Sequence, residues 1–436
     1  MNERIESFLQ ALPDALSQLA HHDERLYVEF YAEETQYARL TQAKVNQSGG
    51  IHQESLTLTL AVGQSLLSLT MEGDLPDSDA LKALVETLRK DLPHVPEDPW
   101  CHLDTGPQRV TTGSTYEFEG FAALANAYCD AAHHQDLVGI LLSGPQIYAV
   151  CSSVGHCLIH RGGSTIADLS VFDKDHNAVK RVRKDPQTQD AVADIQAMAQ
   201  SLKTMARPAI TLQPGTYRAW LSPEAIAELL GTVSWYGFSV EAIRSGGSPL
   251  WMLYQQAQAL SPQIYLSENR QSAAAPMFTA EGFLLPSEVP LICDGKAQES
   301  LRGPRSAREF GTSVNSSSGY PVSLSMREGT LHDIEVLRSI DTGLYIGRVW
   351  YSNISDPKSC RVTAMTRYDC FWVENGELQG PLSPARMDSS LYRLLGEDLE
   401  ALGARVAILP ETHSYGQRGW GSTQVPGVLT SVTITL

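Results

Sequence analysis

The chain has 436 residues, of which 42% are hydrophobic, 19% charged and 8% aromatic. This composition excludes intrinsic disorder for the bulk of the chain, and the length favours two domains, since one domain typically takes about 150 residues. The 33 Lys and Arg against 50 Asp and Glu leave a formal net charge of −17, which repels phosphate backbones and anionic lipid surfaces. We therefore expect no direct nucleic-acid binding and no membrane association.

The cellular compartment is indicated by what the sequence lacks. No stretch approaches the roughly 20 apolar residues that cross a bilayer, and the N-terminus lacks the basic-then-apolar order of a signal peptide. The seven cysteines are an odd number and contain no Cys-x-x-Cys pair, which argues against a disulfide framework. We predict a cytoplasmic protein.

The first half of the chain alternates helical and strand-like patterns. Apolar residues at helical spacing predict a helix over 2–20, and alternating or β-branched segments predict strands at 25–31, 37–46 and 54–69. Asp77 has the side chain of an N-cap and predicts a helix through Lys90, which the proline-rich run 92–99 ends. Further along we predict a helix at 120–134, strands at 136–143, 146–152, 156–161 and 164–172, and a helix at 190–206.

The pattern of predicted secondary structure changes after residue 206. Short strands and turns dominate, with helices predicted at 223–230, 248–259 and 389–402. We therefore predict an N-terminal α/β domain over 1–206 and a β-rich C-terminal domain over 207–436, which together make an α+β protein.

Two groups of side chains have the types of residue that bind zinc. His156 and His160 are four apart, but glycines flank them and their neighbours favour a strand, in which they would be roughly 13 Å apart. Cys129 and His133 would share one face of the helix predicted at 120–134, yet zinc needs three or four ligands. We regard all four as weak metal candidates and predict no metal site and no catalytic residue in this chain.

The sequence motifs that identify several enzyme classes are missing. The dipeptide His-Glu occurs nowhere in the sequence, which removes the simplest zinc-peptidase helix with its general base. The sequence also lacks Gly-x-Ser-x-Gly, the phosphate-binding Gly-x4-Gly-Lys-Ser/Thr loop and the dinucleotide-binding Gly-x-Gly-x-x-Gly.

The C-terminal half resembles the TldD/PmbA family, metalloprotease-related proteins whose members are also called modulators of DNA gyrase. The resemblance rests on ordered blocks that fall within about 100 residues. The blocks are Phe-Thr-Ala-Glu-Gly at 278–282, Ile-Cys-Asp-Gly at 292–295, Arg-Ser-Ala-Arg-Glu-Phe-Gly at 305–311, Gly-Leu-Tyr-Ile at 343–346 and Phe-Trp-Val-Glu-Asn-Gly-Glu-Leu at 371–378. The resemblance implies a two-domain architecture in agreement with the boundary near 206.

TldD-type members carry a His-Glu-x-x-x-His helix early in the C-terminal domain and a late cysteine, and these hold zinc. Here the helix corresponds to 223–236, the motif is placed on 229–236, and the late cysteine falls near Tyr415 and Gly416. Neither position offers a ligand. The resemblance is thus closest to the PmbA or TldE branch, and it implies a non-catalytic subunit without its own cofactor, paired with a zinc-bearing TldD-like chain.

In such a complex the implied substrates are unfolded or modified peptides, which could bind by adding a strand to a free sheet edge. The strands predicted at 361–366 and 370–374 are the candidates for that edge. Their candidate peptide-binding residues are Arg361, Thr363, Met365, Phe371 and Trp372. Two alternatives stay open: a stand-alone peptide-binding or scaffold homodimer, and an active metallopeptidase with rearranged ligands.

Overall fold

The computed structural model describes residues 3–118 and 120–435, which form two β-sheets with helices packed against them. The helices are α1 (Glu3–Leu19), α2 (Ser78–Asp91), α3 (Phe121–Ala131), α4 (Asp190–Met205), α5 (Pro223–Gly237), α6 (Val240–Ser245), α7 (Trp251–Tyr254), α8 (Arg270–Ala273), α9 (Pro304–Glu309) and α10 (Val336–Ile340). The strands of the first sheet are β1 (Glu24–Thr41), β2 (Lys44–Val62), β3 (Ser65–Glu72), β4 (Arg109–Gly113), β5 (Asp136–Ser152), β6 (Cys157–Phe172) and β7 (Ala178–Lys184). The strands of the second sheet are β8 (Gly215–Leu221), β9 (Leu266–Asn269), β10 (Glu288–Cys293), β11 (Lys296–Ala297), β12 (Leu324–Met326), β13 (Gly343–Asp356), β14 (Arg361–Glu374), β15 (Glu377–Pro381), β16 (Arg386–Ser390), β17 (Ala401–Pro410) and β18 (Ser422–Ile434).

The first sheet has the order β3-β2-β1-β5-β6-β4, and β7 also pairs with β6. All these pairs are antiparallel except the parallel pair of β4 with β6. Helices α1 and α2 bury their apolar residues against one part of this sheet, and α3 and α4 bury theirs against another. The helix predicted from Asp77 is confirmed, since its carboxylate accepts a hydrogen bond from the N–H of Ala80 at 2.8 Å.

The first sheet corrects the prediction of short strands. The glycine-containing pairs at 144–145 and 162–163 do not form turns but lie inside the long strands β5 and β6, opposite each other. The pairing of β5 with β1 is interrupted opposite Gly144 and Pro145, so the proline, which has no N–H, needs no partner there. Pairing of β5 with β6 through this region, and with β1 on either side of Gly144-Pro145, overrides the local preference of these residues for turns.

The second sheet contains a closed barrel. Strands β8, β13, β14, β16 and β18 pair in sequence, and β18 returns to pair with β8. Helix α5 packs against this barrel and contributes its inner face to the largest apolar core. The β-rich character predicted for the C-terminal half is confirmed, and so is the α+β class predicted for the whole chain.

The helices of this half differ in length from those predicted. Helix α5 extends to Gly237 rather than 230, and α7 comprises only Trp251–Tyr254. The helix predicted at 389–402 is wrong: β16 runs to Ser390, a short helical segment covers Arg393–Glu397, and β17 begins at Ala401. Gly396 adopts non-helical angles (φ −112°, ψ −107°), which breaks the helix.

The two sheets divide between β7 and β8, and the predicted boundary at 206/207 falls in the connection between them. The division into domains 1–206 and 207–436 stays a prediction. Strand β7 and helix α4 contact β14, β15 and β17 of the second sheet, so the parts are packed together. Among the described residues, none of the helices is long and apolar enough to span a membrane.

Candidate functional site

Helix α5 is the element that carries the zinc motif in the family which the sequence resembles. Ser222 caps it, since its Oγ accepts a hydrogen bond from the N–H of Ala225 at 3.2 Å, and Pro223 occupies the first turn, where its missing N–H costs nothing. Leu229, Leu230 and Val233 are each about 1% exposed and belong to the core. Of the eight positions 229–236, Leu229, Leu230, Val233 and Ser234 are buried and the other four are not. The placement of the motif there stays a prediction.

The outer face of α5 instead presents Glu228 and Thr232. The Thr232 hydroxyl donates to Ser352 Oγ at 2.6 Å and to the Glu228 carbonyl at 3.0 Å, and Ser352 Oγ donates to the Glu228 carboxylate. A single carboxylate and two hydroxyls do not fit a zinc site, which takes three or four ligands and favours nitrogen and sulfur donors. Across 3–118 and 120–435 there is no group of three or more His, Cys, Asp or Glu side chains that could hold a metal ion.

His156 is fully buried and has partners at both ring nitrogens. Its Nδ1 lies 2.7 Å from Ser152 Oγ, and its Nε2 lies 3.2 Å from Asp104 Oδ2. The three side chains are of the types found in a hydrolase triad. Ser152 is also 0% exposed, so no substrate can reach its hydroxyl. The hydrogen bonds among these three side chains instead stabilise the turn at 152–156 between β5 and β6.

His160 is similarly occupied. Its Nδ1 lies 2.9 Å from Thr112 Oγ1 and its Nε2 lies 3.0 Å from the carbonyl of Ala274, so neither nitrogen is available to a metal. Burial lowers the pKa of the imidazole, with the hydrogen bond to Ala274 opposing the shift. The edge of its ring meets the Trp420 indole, with centroids 4.8 Å apart.

Cys129 and His133 are not brought together by a helix. Helix α3 ends at Ala131, so His133 lies in the following turn, where its Nδ1 is 3.1 Å from the carbonyl of Asp130. The His133 ring packs on that of His134, with centroids 3.5 Å apart. Burial raises the pKa of the Cys129 thiol, which disfavours the thiolate that binds metals.

The segment 411–421, between β17 and β18, is where the family resemblance places the late cysteine. It inserts the guanidinium of Arg418 into the first sheet, where the residue is only 3% exposed. The guanidinium donates to the carbonyls of Ser164 (3.0 Å) and Gly144 (2.6 Å) and to the Glu33 carboxylate (3.2 Å). The Arg418 carbonyl in turn accepts from Gln146 Nε2 at 2.9 Å.

Sequence analysis did not predict a role for Arg418. In the sequence, Arg418 stands in a polar, glycine-rich stretch that is typical of an exposed turn, and nothing distinguishes it from a surface arginine. The same segment is tied to β2 as well, because Gln53 Nε2 donates to the Gly416 carbonyl at 2.7 Å. The tip nevertheless leaves Tyr415 fully exposed.

A cavity of about 130 Å³ lies beneath this segment, at the junction of the two sheets. The polar and aromatic side chains that line it include Tyr116, Arg161, Lys184, Glu411 and Trp420. Ligand pockets in proteins usually measure about 300–1,000 Å³. The cavity is therefore too small for a peptide and is of the size that holds a few water molecules.

The five candidate peptide-binding residues all lie on one strand, β14, which merges the two predicted strands. Phe371 is 2% exposed and belongs to the core, and Trp372 packs edge-on against Tyr217 with centroids 6.2 Å apart. The Thr363 hydroxyl donates to the Asp388 carboxylate, while Arg361 is exposed. Their role in peptide binding stays a prediction.

The edges of β14 are occupied. Strand β13 pairs with one edge, and β16 and β15 pair with the other over 361–365 and 371–374. A peptide that added as a strand at 361–366 would therefore have to displace one of these neighbours. Peptide contact there is limited to side chains on the strand's faces, such as Met365, which lies opposite the exposed Trp350.

A half-buried acidic residue, Asp369, lies on β14 near Arg348 and Glu224. Burial raises the pKa of Asp369 to about 6, and the nearby Arg348 opposes the shift. Oδ1 of Asp369 is buried without a hydrogen-bond partner. Arg348 is shared with Glu224 of α5, its Nη2 lying 3.6 Å from the Glu224 carboxylate.

We expect the Asp369→Asn variant to be more stable than the wild type at pH 7, by on the order of 2 kcal/mol. The unfolded chain loses this proton near pH 4, whereas the native state holds it to about pH 6. Wild-type stability therefore falls as pH rises through this window, and the variant escapes that loss. Urea unfolding at pH 4 and pH 7 checks this: equal gains at both pH values would contradict it. Asp356→Asn, at an exposed acid whose pKa is lowered, should show no gain.

Comparisons with known proteins agree with this architecture. Residues 214–435 match the family model described as the PmbA/TldA metallopeptidase C-terminal domain. TldE from Thermococcus kodakarensis superposes with a TM-score of 0.81 at 14% identity, covering 98% of this chain and 100% of that chain. A proposed modulator of a DNA gyrase from Thermotoga maritima gives 0.76 at 15% identity, covering 99% of both chains.

A further proposed modulator of DNA gyrase, from Bacteroides thetaiotaomicron, gives a TM-score of 0.73 at 14% identity and covers 100% of this chain and 99% of that chain. At these identities the three structures establish the shared two-domain fold. No curated protein sequence matches the chain. Because the family model spans just over half of the sequence, the chain belongs to the TldD/PmbA family of metallopeptidase-related proteins.

Proposed function

We propose that this protein is a non-catalytic subunit of a TldD/PmbA-type zinc metallopeptidase complex that acts on unfolded or modified peptides in the cytoplasm. The observation that carries the proposal is helix α5: it is fully formed and packed on the barrel, but its sequence contains no histidine or cysteine. In this proposal zinc and the general base belong to a TldD-like partner chain. The seven cysteines, all of them free thiols, agree with a reducing compartment.

The segment 411–421 between β17 and β18 supports the same proposal. Where the family resemblance places a cysteine ligand, the chain has Tyr415 and Gly416, and the segment is held by the buried Arg418. Its histidine, His413, is turned to Glu411, with Nδ1 2.6 Å from the carboxylate. The segment thus joins the two sheets instead of completing a metal site.

The outer face of α5 offers a surface for the partner. Trp235 and Tyr236 are 64% and 58% exposed, and the Trp235 ring stacks on the half-exposed Tyr320 with an interplanar angle of 6°. Exposed Trp350 and Tyr351 lie beside Ser352, which is hydrogen-bonded to the same helix. Aromatic side chains dominate the binding energy at protein contacts, so we place the catalytic subunit on this face.

The test is to express the chain alone and together with a TldD-like homologue that contains the His-Glu-x-x-x-His motif. We expect the isolated chain to hold no stoichiometric zinc by elemental mass spectrometry. The complex should contain about one zinc per pair and cleave reduced, carboxymethylated casein. Replacing the motif glutamate of the partner by glutamine should abolish cleavage, whereas Glu228→Gln in this chain should leave it within about twofold.

About one zinc per isolated chain, or loss of cleavage with Glu228→Gln while the complex stays intact, would contradict the proposal. The matched control is Glu241→Gln on α6, at another carboxylate that accepts from a serine hydroxyl. An active metallopeptidase with rearranged ligands would have to use His156, His160, Cys129 or His133. The hydrogen bonds at both ring nitrogens of each of the first two disfavour that alternative.

A second candidate function is a stand-alone peptide-binding or scaffold homodimer. The observation that favours it is the outer edge of β2 over 44–53, with which no strand pairs among the described residues. Self-association of the purified chain with no affinity for a TldD-like homologue would support this alternative over the leading one.

A further inference from the structure

Helix α1 contains a proline that leaves one of its carbonyls without a helical donor. In an α-helix the N–H of each residue donates to the carbonyl four residues before it, and Pro13 of α1 has no N–H. The carbonyl of Leu9 therefore lacks this hydrogen bond. Leu9 is 0% exposed, so bulk water cannot replace the missing donor. A buried carbonyl without a donor is costly, and another group of the chain has to satisfy it.

Two thiols of the first sheet supply donors for this carbonyl. Sγ of Cys151 on β5 lies 3.5 Å from the Leu9 carbonyl oxygen, and Sγ of Cys157 on β6 lies 3.7 Å from the same atom. Both cysteines belong to the apolar cluster in which α1 packs on the sheet. The pair of thiols therefore stabilises the middle of α1 at the point where the proline interrupts its hydrogen bonding.

The same two cysteines lie opposite each other on adjacent strands. Cys151 pairs with Cys157 in the antiparallel ladder of β5 and β6. The N–H of Cys157 donates to the Gln108 carbonyl at 2.8 Å, on the β4 side and away from β5. The two cysteines are therefore a non-hydrogen-bonded pair, in which the Cα atoms are only about 4.5 Å apart. That separation lies within the range of disulfides, about 4.4–6.8 Å, so a disulfide here requires no change in strand pairing.

Cys157 is the thiol that an oxidant meets first. It is 3% exposed, against 0% for Cys151, and its Sγ lies 3.9 Å from Oε1 of the exposed Gln10. The hydrogen bond from Cys151 lowers the pKa of the Cys157 thiol, and burial opposes the shift. The thiolate that this hydrogen bond favours is the nucleophilic form of cysteine.

We propose that Cys151 and Cys157 form a redox-sensitive dithiol, which a peroxide converts into a disulfide that destabilises α1. The Cys157 thiolate attacks one peroxide oxygen, which breaks the O–O bond and releases hydroxide, and the hydroxide takes up a proton to form water. The Cys151 thiol then attacks the sulfur of the resulting sulfenic acid, so that an S–S bond forms and a second water leaves with the proton of that thiol. The two thiols lose two electrons, and the peroxide gains them.

The disulfide has no S–H group, so the Leu9 carbonyl loses both of its thiol donors. The bond closes only the short turn at 152–156, and cross-links that close short loops add little stability. Oxidation should therefore weaken α1 without strengthening the sheet in return. The inference concerns this chain by itself and depends neither on zinc nor on a catalytic partner.

The experiment treats the full-length chain with hydrogen peroxide and maps its cysteines by differential alkylation before and after reduction, read by mass spectrometry. We expect Cys151 and Cys157 to become protected together and to be recovered by dithiothreitol. Hydrogen exchange of α1 should then accelerate by roughly tenfold, because a buried carbonyl has lost its donors. Helix α2, which packs in the same cluster, should stay within about twofold. These measurements use the wild type alone, so they do not depend on the folding of a variant.

Cys157→Ser keeps a hydroxyl donor for Leu9 but cannot form the disulfide, so its α1 should exchange like that of the reduced wild type before and after peroxide. Cys370→Ser is the matched control, because Cys370 is also 3% exposed and its thiol donates to a carbonyl, that of Arg348 at 3.3 Å. It should still form the disulfide between 151 and 157. Failure of the wild type to form that disulfide, its formation with no change in α1, or equal acceleration in Cys157→Ser would each overturn the proposal.

Discussion

Replacing Arg418 by alanine is expected to lower the free energy of unfolding by about 3–5 kcal/mol, the cost of leaving one charge of a buried pair uncompensated. Arg418 and Glu33 are 3% exposed each, and their closest atoms are 3.2 Å apart. The substitution also leaves the carbonyls of Gly144 and Ser164 without their donor. Chemical unfolding of the variant and the wild type at pH 7 measures the difference.

The matched control is Arg405→Ala, which breaks an exposed pair with Asp333 at 3.0 Å. That change should cost less than about 1 kcal/mol. The double variant Arg418→Ala with Glu33→Gln should recover part of the loss, because the orphaned carboxylate is removed with its partner. If Arg418→Ala costs no more than Arg405→Ala, the late segment is not held by this pair.

The Gly427→Ala variant is expected to destabilise the chain by about 3 kcal/mol or more, the upper range for overpacking a filled core. A Cβ atom on Gly427 would lie 2.1 Å from the Trp220 ring. Trp220 is 4% exposed and packs with Val373 and Leu429 in a separate apolar cluster that also contains Val336 and Ile340 of α10. The ring therefore cannot move aside without displacing β8 from β18.

Gly50→Ala is the control here, since nothing lies within 4 Å of a Cβ at that position. Its effect should stay within about 1 kcal/mol, the ordinary range for a strand glycine. The melting temperature of each variant provides the comparison. A Gly427→Ala protein as stable as Gly50→Ala would show that the Trp220 ring can shift to make room for the added methyl group.

Local chemistry predicted several elements correctly. The amphipathic pattern of α1 and the N-cap Asp77 are complete within one short window of sequence, and the structure has both. The change of sequence pattern after residue 206 and the sequence blocks of the family resemblance can likewise be recognised within short windows of sequence. In contrast, the turn signals at Gly144-Pro145 failed because pairing with β6 and, on either side of that dipeptide, with β1 keeps β5 extended there, and that pairing depends on residues far away in the chain.

At the candidate site, too, some features could be predicted from the sequence and others depend on tertiary contacts. The lack of a His-Glu-x-x-x-His motif can be established by inspection of the sequence, and it holds for any alignment. Which face of α5 is exposed could not be established, since it depends on how the barrel packs beneath the helix. The motif placement on 229–236 therefore includes core residues such as Leu229 and Val233 as well as exposed ones such as Trp235, and it stays a prediction.

The sequence by itself determined the class of fold, the family and the absence of a His-Glu-x-x-x-His motif, because these depend on residue identity, periodicity and order along the chain. Only the tertiary structure decided that Arg418 is buried and that His156 and His160 have hydrogen-bond partners at both ring nitrogens. It also decided that, among the described residues, no strand pairs with the outer edge of β2 over 44–53. The physical reason is that burial and pairing are properties of contacts between distant segments. Identical arginines, histidines and strands differ only in what the fold places beside them.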